Sequence, residues 1–328
     1  RGRAWSDGCG GRPPARGPER VSPAPRRVVV TGAGGLVGPA VVQRLHGNGD
    51  QVLAHVGPHG VDLVEPPDGV ESCRADITDA TAVRDLCRDA GAVVHLAGPP
   101  SVAASFRDPV GCVRTHVVGT ACVLEACLAA GVHRVVYVSS AEVYGRAAED
   151  VVPESAALRP VSPYGAAKLA AESLVHAMAD RKGFDAVVLR PFSVYGAASP
   201  PTSLVGAVAR MAARADRVQV HSLAPRRDYV HVTDVAAAVE AALDVATTRS
   251  RTFNVGSGRA TSVADVIALA LAAAGRDVPV EESADGDRPA GIDVLRLVAD
   301  VSSARDELGW AARVPLATGI GEAVRARL

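Results

Sequence analysis

Lysine is almost missing from this chain: of 35 basic residues only Lys168 and Lys182 are lysines. With abundant alanine and valine, this is the residue usage of a GC-rich coding sequence and says nothing about activity. The six cysteines, Cys9, Cys73, Cys87, Cys112, Cys122 and Cys127, include no C-x-x-C pair, and most sit in apolar segments. Disulfides and zinc are therefore not expected, and neither is any other metal site; reduced core thiols in a cytoplasmic protein are. Charge of one sign is missing too. Against 35 basic residues stand 36 acidic ones, for a formal net charge of −1, which leaves no electrostatic footprint for nucleic acid or an anionic membrane surface. No apolar run approaches the roughly eighteen residues of a membrane span, and the N-terminus lacks the charged, apolar, small-residue order of a signal peptide. The expectation is a cytoplasmic protein with no membrane and no nucleic-acid partner. No internal repeat is visible.

What is there is a globular composition, 48% hydrophobic and 22% charged over 328 residues, long enough for one large core with an appended lobe. Residues 1–25 are rich in Gly, Pro and Arg without apolar periodicity, so they bury too little surface to offset ordering entropy, and a disordered tail is expected. Val21 is expected to mark a natural start, with activity surviving deletion of residues 1–20. From Arg27 the runs RRVVVTG, QVLAHVG, AVVHLAG, RVVYVSS and AVVLRPF alternate with helical stretches such as LVGPAVVQRLHGNG, ACVLEACLAAGV and YGAAKLAAESLVHAMA. Continuous apolar strands joined by crossover helices predict a parallel sheet covered on both faces, the Rossmann-type doubly wound α/β architecture. After Pro191 the pattern loosens into loops and returns in VHVTDVAAAVEAAL and TFNVGSG.

The first strand runs into Thr31-Gly32-Ala33-Gly34-Gly35-Leu36-Val37-Gly38, and an amphipathic helix follows at once. Gly32, Gly35 and Gly38 would allow a tight turn, close approach of backbone to a pyrophosphate and close helix-on-strand packing, with Leu36 and Val37 at the helix N-terminus facing the phosphates. The cofactor expected is NAD. An acid usually ends the second strand of such a fold and bonds the adenosine ribose, yet this chain offers His55, Val56 and His59 there. NADP is therefore not excluded, with His59 or Arg74 near its 2′-phosphate or else simply solvated. Asp76 and Ile77 sit where a loop after the third strand would pass the adenine; for Asp76 a helix N-cap explains the residue equally well. Residues 26–190, completed by about 228–256, are expected to form the dinucleotide-binding domain. Segments 191–227 and 257–328 are expected to form a small C-terminal substrate-binding lobe.

Tyr164-Gly-Ala-Ala-Lys168 spans one helical turn, so phenol and ammonium share a face. The pair follows a fifth strand that ends in Val138-Ser139-Ser140-Ala141-Glu142-Val143-Tyr144-Gly145, at the carboxyl edge where open α/β sheets bind ligands. An adjacent ammonium and a nicotinium charge would favour phenolate and bring Tyr164 towards the range of a general base. The competing readings are a core phenol for Tyr164 and a strand-end cap for Ser140.

In this order TGAGGLVG, HLAG, SSAEVYG, SPYGAAK, LRPFSVYG and RDYVHVTDVA resemble the extended short-chain dehydrogenase/reductase family, in particular its NAD-dependent nucleotide-sugar epimerases and dehydratases. The resemblance covers about residues 27–325. It implies that Tyr164 deprotonates a sugar hydroxyl, Lys168 holds the nicotinamide ribose and lowers the phenol pKa, and Ser140 bonds the reacting oxygen. It also implies cofactor contacts from Leu96, Ala97, Gly98, Pro191 and Ser193, a substrate role for Glu142 and Ser193, and a grip on the diphosphate from Arg227 and Arg288. A solvated surface arginine is the alternative for each of the last two, and the spacing from Arg288 to Asp300 is longer than the family pattern.

Departures bear on the reaction. Dehydratases of this resemblance carry Thr-Asp-Glu before Val-Tyr-Gly, whereas Ser140-Ala141-Glu142 lacks the acid that would protonate a leaving hydroxyl. Glu142 alone supplies no acid/base pair, which favours a structural carboxylate over a base at C5. His116 stands where the family usually has Asn, and Ser193 where an Asn often contacts substrate. The leading expectation is a nucleotide-sugar 4-epimerase with bound NAD, acting on a nucleotide-diphosphate sugar. An NADPH-dependent 4-ketoreductase and a nucleotide-uronic-acid decarboxylase follow. A catalytically dead dinucleotide sensor would have no need of Tyr164 and Lys168. A homodimer is implied, through alanine-rich helices around 103–130 and 164–180 packed as a four-helix bundle.

Overall fold

The computed structural model describes residues 26–58, 66–181, 184–247, 250–283 and 294–328; the expected tail 1–25 with its start at Val21, and also His59 and Arg288, lie outside the described residues. Six strands lead the chain: β1 (Arg27–Thr31), β2 (Gln51–Val56), β3 (Glu71–Arg74), β4 (Ala92–His95), β5 (Arg134–Val138) and β6 (Asp185–Pro191). A seventh, Arg251–Val255, pairs with β6. All run parallel, in the order β3-β2-β1-β4-β5-β6 and then Arg251–Val255. The order reverses between β1 and β4, so the loops leaving those strands open a crevice at the carboxyl edge.

Alternation along β1 explains why its run of valines is apolar throughout. Val28 and Val30 enter one core, with helix Gly38–Gly47 and residues of Val232–Asp244. Val29 enters the other, with Val83, Val123, Cys127, Ala171 and Val175 from three helices. Both faces are covered, so both sets of side chains are buried. Helix Pro163–Ala179 is fixed from its first turn. Ser162 accepts a hydrogen bond from the Gly165 N–H, Pro163 occupies the first position, and burial recurs at Tyr164, Ala167, Lys168, Ala171, Glu172 and Val175.

A third core gathers Val205, Val208 and Ala212 with Val266, Ile267 and Ala270 and with Ile320 and Val324. The chain between these last two groups returns to the main sheet: Ala304 and Trp310 join the first core, and the Trp310 indole N–H donates to the Asp234 carbonyl at 2.9 Å. The continuous helical run Pro109–Ala130, of mean hydropathy 1.4, is long and apolar enough to cross a membrane; here 44% of its apolar window is buried inside the molecule. Among the described residues no group of three His, Cys, Asp or Glu side chains is placed to hold a metal. Cys87, Cys112 and Cys127 are buried free thiols.

Candidate active site

The glycine loop sits at the mouth of β1. Gly32 has φ +73°, and a Cβ there would lie 2.8 Å from the Ala97 backbone, so only glycine lets this turn pass beneath the loop after β4. Gly35 is exposed, and helix Gly38–Gly47 starts behind Val37 with no side-chain cap and no acid in its first turn. Free N–H groups at a helix start beside an open glycine backbone fit a dinucleotide pyrophosphate. Leu96 and Ala97 are tied to the same place: Leu96 N–H donates to the Thr31 carbonyl at 3.1 Å and Ala97 N–H to the Thr31 hydroxyl at 3.3 Å.

Two expectations around the adenosine end change. The His55 imidazole is fully buried and bonds the Ala75 carbonyl at 3.1 Å; side chains alternate along β2, and this one shares the face of Leu53, opposite Val52, Ala54 and Val56. It is not a ribose ligand. Asp76 is not a helix cap either; it accepts from the Thr78 N–H and hydroxyl in a tight turn, and Asp79 caps helix Ala80–Leu86. Ile77 buries its side chain against Gly119. Arg74, exposed at the end of β3, donates to the Gly57 carbonyl at 3.0 Å, just beyond β2.

Tyr164 lies at the other end of the crevice. The Ser140 side chain acts on its phenol, its N–H is held by the Ser105 hydroxyl at 3.1 Å, and its ring meets His116 edge-on at 5.3 Å. Gly165 allows the helix to ride against the 140–142 turn, since a Cβ there would stand 2.6 Å from the Glu142 carbonyl oxygen. Ser140 caps that turn, one of its two sequence readings, by accepting from the Glu142 N–H at 3.2 Å. Lys168 is buried one turn on, donates to the Val138 carbonyl at 2.8 Å and lies 5.0 Å from the centre of the Tyr137 ring.

The electrostatics differ from the sequence expectation. Burial pushes the Tyr164 phenol up, opposed by the neighbouring Ser140 side chain, and the nearby Glu142 carboxylate pushes it further up. The Lys168 ammonium faces the Val138 carbonyl and is not among the groups that move the phenol. Lys168 itself is brought down to about 8 by burial, against the opposing pull of Glu172 and Cys112. Phenolate is therefore not preset in the protein alone. The sequence favoured a structural role for Glu142. Among the described residues, however, its half-buried carboxylate has no hydrogen-bond or ion-pair partner, as a group facing a ligand would.

His116 sits in a π-helical turn, Arg114–Val118. The Thr120 hydroxyl donates to the His116 carbonyl at 2.5 Å and receives the Nε2–H of buried His95 at 3.0 Å; His95 Nδ1 in turn accepts from Thr31 at 2.7 Å. Thr120 has one proton, so the order of donors and the neutral His95 tautomer are both fixed. Burial and the Lys168 charge bring His116 down to about 3, and its neutral ring donates from Nε2 to the Pro99 carbonyl at 3.1 Å. Gly98, at φ +134°, leaves the space this ring fills. The loop Leu96–Pro99 is thereby held at both ends. Sequence reasoning noted His116 only as a departure; Ser105, Glu172 and Arg190 it missed, although the Lys168-to-Glu172 spacing of one turn was readable.

Beyond β6, Phe192 N–H donates to the Val255 carbonyl at 3.0 Å and Ser193 N–H to the Asp228 carbonyl at 2.8 Å, which swings the chain after Pro191 across the crevice. The Asp228 carboxylate is fully buried and accepts from Ser257, Gly258 and Ala299. It clamps loops rather than substrate. Half-buried Arg227 precedes it, and its charge reaches the buried Tyr229 phenol, which has no hydrogen-bond partner among the described residues.

Profile comparison matches residues 28–256 to the NAD dependent epimerase/dehydratase family. The chain belongs to that family. An epimerase/dehydratase relative, the UDP-glucose 4-epimerase of Mycolicibacterium smegmatis (strain ATCC 700084 / mc(2)155), is 34% identical over 91% of this chain and 97% of its own. The GDP-6-deoxy-D-mannose reductase of Pseudomonas aeruginosa is 30% identical over 87% and 91%. Among solved structures, MoeE5 in complex with UDP-glucuronic acid and NAD superposes with a TM-score of 0.81 at 32% identity, over 92% of this chain and 98% of that one. The protein is an enzyme of the extended short-chain dehydrogenase/reductase type, and its relatives within the epimerase/dehydratase family differ in reaction.

Proposed function

We propose that this enzyme is a nucleotide-sugar 4-epimerase that oxidises C4 transiently with bound NAD. The observation that carries the reading is the buried Tyr164 phenol, beside Ser140 at the carboxyl end of β5 and with Lys168 one turn behind it. When bound, NAD supplies the hydride acceptor and later the donor. Gly32, Gly35, Leu36, Val37 and Gly38 hold the pyrophosphate, Ile77 and Asp76 flank the adenine end, and Leu96 to Gly98, Pro191 and Ser193 line the nicotinamide end. Tyr164 takes the proton of the C4 hydroxyl and returns it, Ser140 holds the same oxygen, and Lys168 holds the nicotinamide ribose. Glu142 faces the sugar, and Arg227 and Arg288 take the diphosphate, from a lobe made of segments 191–227 and 257–328.

The test is mass spectrometry of the dinucleotide released by acid from freshly purified protein, together with interconversion of UDP-glucose and UDP-galactose followed by NMR. Near-stoichiometric NAD+ with interconversion is expected, because an internal redox cycle never discharges its cofactor. One observation favours a second reading, a 4-ketoreductase using NADPH: Arg74 is held beside Gly57, and the end of β2 presents no carboxylate. Empty sites or NADP(H) would put that reading first.

The enzyme is also proposed to be a homodimer. Among the described residues, four of the eight large exposed apolar side chains, Val110, Val113, Val118 and Leu128, lie on the single run Pro109–Ala130, with Val110 76% exposed. Beside them helix Pro163–Ala179 exposes Ala166, Ala170 and Ala177. Such a concentration marks an interface. Light scattering should give twice 33.5 kDa, and Val110→Arg with Leu128→Arg should return the monomer; a monomeric parent protein would refute the dimer.

A further inference from the structure

Behind Lys168 lies a buried polar network that the chemistry above does not use. Glu172 follows Lys168 by one helical turn and is 1% exposed; Arg190, on β6, is 4% exposed. They meet bidentately, Nε to Oε1 at 3.0 Å and Nη2 to Oε2 at 2.7 Å. The remaining guanidinium nitrogen donates to the Tyr144 hydroxyl at 2.9 Å and to the Glu154 carbonyl at 3.1 Å. Tyr144 passes its proton to Asn254 Oδ1 at 2.7 Å, and the Asn254 amide donates to the Val152 carbonyl at 2.8 Å. Every member of this network is satisfied. A buried ion pair adds little net stability over apolar packing of the same shape, so its presence one turn from Lys168 calls for another account.

We propose that the Glu172–Arg190 pair is a positioning device for the Tyr164–Lys168 chemistry: Glu172 holds the charge on Lys168 from the next helical turn, and Arg190 sets how much carboxylate charge Lys168 feels. The inference rests on the reading of Lys168 as a working group of the site. The Lys168 charge reaches His95 on β4 and Cys112 and His116 on the run Pro109–Ala130; its ammonium lies 5.0 Å from the Tyr137 ring of β5, and Tyr164 and Glu172 are buried one turn to either side on its own helix. Of these only Glu172 is a carboxylate. Both histidines are held neutral by burial, and the Cys112 thiol is pushed up. Control of the Lys168 charge therefore falls to Glu172, and Arg190 opposes it by sharing both carboxylate oxygens. Through Tyr144, Asn254 and Val152 the same pair ties the helix of Tyr164 to the last strand of the sheet and to the loop before Glu154.

The chain offers an unusually clean test, since Lys168 and Lys182 are its only lysines. Protein carrying 13C,15N-lysine gives two side-chain NMR signals, which Lys182→Arg assigns. Lys168 should titrate near 8. Its midpoint should fall by roughly one pH unit or more in Glu172→Gln and rise in Arg190→Gln. Opposite displacements by the two halves of one pair are what charge control demands; loosened packing would move both the same way. An unmoved midpoint in folded Glu172→Gln, or movement of one sign in both variants, overturns the proposal. Should Arg190→Gln fail to fold, Glu172→Asp keeps the charge but retracts it by a methylene, and its midpoint must fall between those of the parent and Glu172→Gln, or the proposal is likewise overturned. The measurement needs neither dinucleotide nor sugar. If the midpoint moves as expected while the alkaline fall of turnover does not follow it, the ion-pair inference stands and the proposed function fails.

Discussion

Tyr164→Phe should lose about 10²–10⁴-fold in turnover, the usual share of a positioned general base, while the protein keeps its fold and its dinucleotide. The ring is what packs: it lies among Val102, Cys112 and Ala167 and meets His116 edge-on, and phenylalanine preserves each of these contacts. The backbone anchor through Ser105 is untouched. Only the hydroxyl goes, at a stability cost of about 1 kcal/mol or less. The loss should therefore appear in kcat, and the amount of NAD+ released by acid should match the parent protein. Since burial pushes the free phenol up, the parent's turnover should also climb with pH until Lys168 begins to discharge near 8. Unchanged turnover in the variant would remove Tyr164 from the reaction and leave only the core-phenol reading.

What the sequence made legible were features whose spacing is dictated by covalent geometry. Alternating burial forces strands covered on both faces to be apolar throughout, so β1, β4, β5 and β6 could be read directly. Helical periodicity put Tyr164 and Lys168 on one face, and Gly32 and Gly38 of the first loop stand where no Cβ fits. Direction of a side chain at the end of a strand is less legible. His55 ends the run QVLAHV where an acid usually stands, and nothing in the sequence says that its ring is fully buried. Asp76 and Asp79 are both plausible caps in RADITD, and only the start of the helix at Ala80 chooses between them.

Contacts between distant segments were the least legible. The return of Trp310 to Asp234 carries part of the C-terminal segment back onto the main sheet, and no periodicity announces it. The same holds for the π-helical turn that carries His116, which depends on hydroxyl bonding by Thr120 and on His95 arriving from β4. Glu172 and Arg190 looked like ordinary residues of a helix and a strand. Their meaning comes from burial together, where a charge is kept only beside its partner.

Gly38→Ala should be the most damaging single methyl in the first loop. Its Cβ would land on Ala33, within 2.5 Å of the carbonyl carbon and of Cα, and these are backbone atoms of a turn already pinned by the Ala33 N–H to the His55 carbonyl at 2.9 Å. Neither side can yield without lifting the helix from β1 and its neighbours Val41, Val42 and Leu45 from the core. A loss of about 3 kcal/mol in urea unfolding is expected, at the upper end of overpacking costs, and any folded fraction should have lost its dinucleotide because the helix N-terminus has moved. Gly47→Ala, at the other end of the same helix, is the control. Its Cβ would meet nothing within 4 Å, so it should gain about 0.4–1 kcal/mol by restricting the unfolded chain. Equal stability in the two variants would mean that the loop yields where the geometry says it cannot, and that Gly38 is kept for the ligand alone. Loss confined to Gly38→Ala means instead that the cradle and the fold are one structure, so the dinucleotide site can be weakened there only by weakening the protein.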